Sequence, residues 1–227
     1  MIARIVWLSV TVVLYVASRR AQQLAKGSPL LNPVLLAAAA IVCAIFGSGR
    51  SIEEYRSAGA PLLWLLGPAT VALAVPLYRA MAQVRSALAP ALAALVVGSA
   101  ATVVSAVAIG HFLGATLDTE RALAAKSVTT PIAMAITDQI GGIPALAAVF
   151  VMITGSLGAV FGTVIFDRIG VGDARARGIA MGVVAHGMGT ARAFQLSTVM
   201  GTFSGIAMTV NGVITAVVLP IAWVLSR

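Results

Sequence analysis

The chain has 227 residues, of which 60% are apolar and 10% charged, and its formal net charge is +8. A soluble domain carries roughly 25% charged residues and 45–50% apolar ones with glycine counted, so this composition excludes a disordered chain and argues against a soluble globule. Five stretches contain no Asp, Glu, Lys or Arg at all: 27–49, 57–78, 86–117, 139–166 and 193–226. Each is longer than the ~20 residues a helix needs to cross a bilayer, and the expected fold is all-α and polytopic, with about six to eight membrane segments.

The 15 basic residues form no run longer than Arg19-Arg20 and are not interleaved with aromatics. They read as flanks of membrane spans rather than as a nucleic-acid surface. The single cysteine, Cys43, lies in an apolar run and reads as packing. His111 and His186 lie far apart with no cysteine or carboxylate at ligand spacing, so no metal site and no metal cofactor is expected. Nucleophile-elbow, zinc-protease and phosphate-loop patterns are missing too, and the chain does not read as an enzyme.

In chain order, Ile5–Ser18 is apolar and is followed by Arg19, Arg20 and Lys26. A cleaved signal peptide carries its cations before the apolar core, so a retained first helix is expected. Asn32-Pro33 punctuates the chain before a second segment, Val34–Phe46. The stretch 47–60, with Arg50, Glu53, Glu54 and Arg56 cancelling, is expected as a surface loop. The next segment holds Pro61, Gly67, Pro68 and Pro76. Proline removes a backbone donor, so a kink or break is expected at Gly67-Pro68, with Thr70 just beyond. Pro90–Phe112 is a clean span, and Asp118, Glu120, Arg121 and Lys126 form a second self-cancelling loop.

Ser127-Val-Thr129-Thr130-Pro131 then opens only 11 uncharged residues before Asp138. That length is short for a span, so residues 127–140 are expected to be broken at Pro131 or to dip in and return. Gly141-Gly142 turns the chain into the long span 145–166, whose Gly155, Gly158 and Gly162 allow close helix contact. After a basic connection, Gly178, Gly182, Gly187 and Gly189 share an uncharged stretch with His186 and Thr190, closed by the isolated Arg192. Phe203–Leu225 is the last span and contains Asn211, with Ser204 at its start. With the dip counted, Arg19, Arg20, Lys26, Arg79, Arg85, Arg168, Arg175, Arg177 and Arg227 share one face of the bilayer. Pro90-Ala-Leu-Ala-Ala94 recurs as Pro144-Ala-Leu-Ala-Ala148, and Gly67-Pro68 as Thr130-Pro131. The recurrence suggests an inverted repeat, whose sites lie at broken helices near the midplane.

The candidate binding residues are therefore Thr70, Ser127, Thr129, Thr130, His186, Gly187, Gly189, Thr190, Arg192 and Ser204, beside helix breaks at Gly67, Pro68 and Pro131. Threonines in membrane helices also bond their own backbone, and glycines also pack. Arg192 stands apart: an intramembrane arginine is costly, and a guanidinium grips a carboxylate in a fork. Pairing with Asp138, or snorkelling, is its structural alternative.

The motifs Leu66-Gly-Pro-Ala-Thr-Val-Ala-Leu-Ala-Val-Pro-Leu-Tyr78, Lys126-Ser-Val-Thr-Thr-Pro-Ile-Ala-Met134, Gly141-Gly-Ile-Pro144, Ala176-Arg-Gly178 and His186-Gly-Met-Gly-Thr-Ala-Arg192 resemble the LrgB/CidB family from about residue 32 onward. The chain departs from it in having Ala185 before the histidine and Val199-Met200-Gly201 near the start of the last span. The resemblance implies one integral membrane domain over 1–227, with an N-terminal helix and basic loop (1–28) and two halves (29–114 and 115–227). It implies a bacterial cytoplasmic membrane protein, homo-oligomeric and accompanied by a small LrgA/CidA-type membrane partner. For function it implies transport of small 2-hydroxy or 2-oxo monocarboxylates such as glycolate, glycerate, lactate or pyruvate, coupled to protons or sodium. Its alternative is holin- or antiholin-like regulation of murein hydrolase activity and autolysis.

Overall fold

The computed structural model describes residues 2–25, 31–72, 78 and 88–225; the side chains of residues 2, 63, 66–72 and 88 are outside that description. Every regular element among the described residues is helical. The nine helices are α1 (Ile2–Leu24), α2 (Pro33–Ser48), α3 (Ile52–Ala72), α4 (Leu88–Phe112), α5 (Leu117–Ala124), α6 (Thr130–Gln139), α7 (Pro144–Arg168), α8 (Ala174–Leu196) and α9 (Thr198–Leu225). Helices α4 from Ala89, α7 and α9 are long and apolar enough to cross a membrane. Their outward residues include Val97, Val104, Ile153, Leu157, Val213 and Val217, all exposed and apolar. Faces of that kind find their solvent in lipid.

Contacts divide the chain into two units, Met1–Val75 and Pro76–Arg227. In the first, α1 packs on α2 and α3 around Trp7, Ile41, Ile45 and Ala58. Trp7 meets Tyr55 edge to face at 5.4 Å, and the Tyr55 hydroxyl lies 3.2 Å from Thr11 Oγ1. Asn32 caps α2, its Oδ1 accepting from Val34 N at 2.9 Å, with Pro33 in the first turn where its missing donor costs nothing. Cys43 is exposed on α2, not packed as expected.

Three sequence expectations need correction here. The stretch 47–60 is mostly helix, because α3 starts at Ile52 and its charges pair at helical spacing, Arg50 with Glu54 and Arg56 with Glu53. Of the kink or break expected at Gly67-Pro68, the break does not form, for α3 remains helical to Ala72. A proline deletes one bond of the ladder and the turns around it still form. The side chains of Gly67, Pro68 and Thr70 lie outside the described residues. The second charged stretch is also helical: α5 has Thr116 as its cap and an Arg121–Asp118 pair at i,i+3.

The second unit holds α4 to α9. Its main core gathers Ala122, Ala125 and Val128 with Ala133 and Ile136 of α6, Ala147 and Val151 of α7, and Leu219 of α9. Helix α6 has 10 residues, about 15 Å at 1.5 Å per residue, half the ~30 Å of a bilayer core. Its far end comes back to α5, where Arg121 Nη1 donates to the Gly141 carbonyl at 2.9 Å. On the same side His111, exposed at the end of α4, pairs with Glu120 at 2.9 Å. The chain from α5 to Gly141 therefore folds back on itself, and 127–140, expected as broken or dipping, forms one short helix after its Ser-Val-Thr turn. Pro131 does not break this helix but opens it, occupying its first turn. Both Pro90 and Pro144 sit near the start of 25-residue helices, so the recurrence of Pro-Ala-Leu-Ala-Ala has a counterpart in the starts of α4 and α7. It does not extend to Gly67-Pro68, inside α3, and Thr130-Pro131, at the start of α6.

Candidate functional site

The break that positions the site lies in α8. His186 takes φ 40° and ψ −127°, and it is the described non-glycine residue with positive φ. Such a conformation costs of order 1–3 kcal/mol and persists only where packing fixes it. Here α7 supplies the packing. A Cβ on Gly155 would sit 2.6 Å from the His186 ring, and one on Gly162 would sit 2.6 Å from Met181 Sδ. The expected glycine contacts thus form, and they let the His186 ring reach the α7 backbone. His186 Nε2 donates to the Val151 carbonyl at 3.1 Å, in a buried position. On the other face, Gly178 and Gly182 admit the backbone of α9 at Met200 and Ser204.

Two polar clusters surround this break. In the first, Thr190 Oγ1 donates to the His186 carbonyl at 2.8 Å and lies 2.9 Å from Ser204 Oγ. The Thr190 proton is committed to His186, so Ser204 donates to Thr190. All three side chains are buried, and they tie the second half of α8 to α9. Gly189 packs on Ala185 and Met181, while Gly187 is open apart from Met208 Sδ at 3.9 Å.

The second cluster joins the apex of the 117–141 hairpin to the middle of α9. Asn211 stands midway along the 28-residue α9, and its Nδ2 donates to the Ser127 carbonyl at 2.9 Å and the Val183 carbonyl at 3.3 Å. Lys126 Nζ donates to Ser127 Oγ at 3.1 Å. Thr129 is the cap residue of α6 but makes no side-chain capping bond, and Thr130 begins the helix half-buried. Ser127 itself is 4% exposed and Asn211 1%.

The structure therefore brings Ser127, Thr129 and Thr130 together at one point, and His186, Thr190 and Ser204 at another, bridged by Asn211 and Val183. Arg192 joins neither in the described bonds: it is half-buried and its Nη1 donates to Gln195 Oε1 at 3.1 Å. Two residues past Thr190 on a helix means about 200° of rotation, so the two side chains leave α8 on opposite faces. Asp138, offered as its alternative partner, is exposed at the other end of α6. Lys126 and Asn211 stand outside the ten candidate binding residues, although Asn211 is a polar residue of the last span and Lys126 adjoins Ser-Val-Thr-Thr-Pro. A separate groove of about 630 Å³ runs along α4 and α8, lined by Ala94, Gly98, Ile179, Val183 and Phe203 with Asp173 and Arg175 at one end. Its lining is mainly apolar, and it includes none of the candidate binding residues. Asp173 there caps α8, and the Arg175 side-chain bond with the Arg175 backbone N–H holds its carboxyl down at about 2.

The LrgB-like family model matches residues 11–225. The chain is 34% identical to the uncharacterized protein YwbG of Bacillus subtilis (strain 168) over 95% of its length and 96% of that protein. It is 30% identical to the antiholin-like protein LrgB of Bacillus mycoides (strain KBAB4), over 86% of its length and 85% of that protein. It is 29% identical to the holin-like protein CidB of Staphylococcus epidermidis (strain ATCC 12228 / FDA PCI 1200), over 93% of its length and 92% of that protein. No solved structure matches the chain. With a family match over nearly its whole length, three helices long and apolar enough to cross a bilayer and the short α6 beside them, this membrane protein belongs to the LrgB-like family.

Proposed function

We propose that the protein is a multi-pass protein of the bacterial cytoplasmic membrane that regulates murein hydrolase activity and autolysis in the manner of a holin or antiholin. The observation that carries this reading is family membership along 11–225, with relatives named holin-like and antiholin-like. A small LrgA/CidA-like membrane protein is its proposed partner, and a homo-oligomer its proposed state. The test is detergent-induced lysis of a Gram-positive host whose own family members are deleted, with and without this gene. The expected result is at least a twofold change in lysis rate, with a matching change in murein hydrolase bands on a zymogram. Identical lysis curves at verified expression would overturn the reading.

A second reading, carriage of small 2-hydroxy or 2-oxo monocarboxylates, is favoured by one specific feature. A simple pore needs little interior chemistry, whereas here a broken helix and the start of a half-helix meet polar side chains at mid-length of α9. Broken helices around a central site are the architecture of secondary transporters. Uptake of labelled glycolate, lactate and pyruvate into proteoliposomes tests it; the expected result is saturable accumulation above protein-free vesicles. Absence of uptake for all three under proton and sodium gradients would remove it.

A further inference from the structure

We propose that the turn before α6 is a binding site for a small oxyanion that also carries an O–H group, with Lys126 as its cation and Asn211 as its acceptor. The proposal deepens the carrier reading, and rests on it only for the step of transport.

Four features converge on residues 126–130. The Lys126 ammonium is half-buried, and among the described residues its hydrogen-bond partner is the neutral Ser127 hydroxyl. A charge withdrawn from water without a counter-charge is unfavourable, and an anion beside it removes that cost. Helix α6 begins at the same turn with no side-chain cap, so the Thr130 and Ile132 N–H groups carry the positive end of its dipole into the interior. Pro131 between them has no donor. The Thr129 and Thr130 hydroxyls belong to the same turn, and Thr129 makes no side-chain capping bond there.

The fourth feature is independent of the helix end and has the opposite polarity. The Asn211 amide meets this turn, where Nδ2 holds the Ser127 carbonyl, and its Oδ1 is fully buried with no hydrogen-bond partner among the described residues. The two carbonyls on Nδ2 fix the orientation of the amide, so Oδ1 is an acceptor in want of a donor. A buried acceptor left unmade is costly. The turn thus offers several donors and a cation for anionic oxygen, and one acceptor for a hydroxyl. A bare carboxylate uses the first set alone; an anion with an adjacent O–H uses both. Rigidity comes from Ala125 and Val128, fully buried on either side of the site.

The experiment uses the full-length protein in detergent, with glycolate and acetate as probes, by isothermal titration calorimetry. They have equal charge and nearly equal size, and differ in the hydroxyl. Glycolate is expected to bind at least tenfold more tightly than acetate. Lys126→Gln is expected to weaken glycolate at least tenfold, and Asn211→Leu to bring glycolate down to the acetate level. Since Asn211 is buried, Thr130→Val at the half-exposed helix start is the second variant; it is expected to weaken both probes severalfold with an unchanged elution profile. Unchanged glycolate affinity in Lys126→Gln, or equal affinity of the wild type for the two probes, would overturn the proposal. So would loss of binding in Arg192→Gln with retention in Lys126→Gln, which would place the anion at Arg192. Uptake into proteoliposomes separates the two levels. Lys126-dependent binding with no uptake sinks the carrier reading and leaves the site, while uptake unaffected by Lys126→Gln does the reverse.

Discussion

At Gly155 a hydrogen stands where any other residue would put carbon, and the His186 ring and the Met188 methyl occupy the remaining space. A Cβ there would lie 2.5 Å from Met188 Cε and 2.6 Å from the ring, so both must move. The ring cannot move without releasing the Val151 carbonyl, and the strained backbone at His186 depends on that anchor. Gly155→Val is therefore expected to destabilise by about 1–3 kcal/mol, the range for overpacking a filled interior. Gly187, one residue after the break, meets only Met208 Sδ at 3.9 Å and has ordinary helical φ. Gly187→Ala is expected to stay within about 0.5 kcal/mol of the wild type or to gain slightly from helix propensity. Thermal unfolding of the two variants in one detergent, followed by intrinsic fluorescence, checks both. Equal melting temperatures would show that the α7–α8 contact is not what holds the break. The glycine spacing made this contact legible in the sequence. The break itself was not, because positive φ is uncommon at any non-glycine residue and histidine's modest enrichment there does not mark one position.

At the scale of elements, charge pairs misled and lengths did not. The charges of 50–56 and 118–126 cancel, which suits a loop, yet opposite charges at i,i+3 or i,i+4 suit a helix equally. Proline misled in the same way: at Pro131 it starts a helix, and sequence alone does not separate an N-terminal proline from a breaking one. The 11 uncharged residues before Asp138 were the better signal, since no helix of that length crosses ~30 Å of hydrocarbon. The return of α6 to Arg121 leads to a direct test. In a Cys43→Ser background, Thr116→Cys and Gln139→Cys are both exposed and lie at the two feet of the hairpin. Both are expected to react with a membrane-impermeant maleimide from the same side of sealed vesicles. Reaction from opposite sides would turn α5 and α6 into one discontinuous crossing. Shielding should also differ along the hairpin, with Ser127→Cys at the buried apex reacting at least tenfold more slowly than either foot.

Across the whole molecule, the two proposed functions make different demands on the interior of the second unit. A lesion that passes large solutes needs a wide, water-lined path. A carrier, or a regulator acting through a partner, does not. In residues 88–225 the polar side chains at mid-length of the helices are turned on one another: His186 to Val151, Thr190 to His186, Ser204 to Thr190, and Asn211 to Ser127 and Val183. The helices carrying them touch through glycine, α8 lying against α7 at Gly155, Gly158 and Gly162 and against α9 at Gly178 and Gly182. Contacts this close leave van der Waals packing, not water, between the backbones. Opening a wide path would require separating α8 from both neighbours and exposing Asn211, Ser204 and Thr190, which are 0–4% exposed. Liposomes containing this protein alone are therefore expected to retain a carboxyfluorescein-sized dye, with leakage within about twofold of protein-free vesicles. Adding a small LrgA/CidA-type protein tests the partner role: leakage arising only with both present would support regulation through assembly. Rapid dye loss with this chain alone, scaling with protein and indifferent to glycolate, would show that the packed interior opens and would make the protein a pore in its own right.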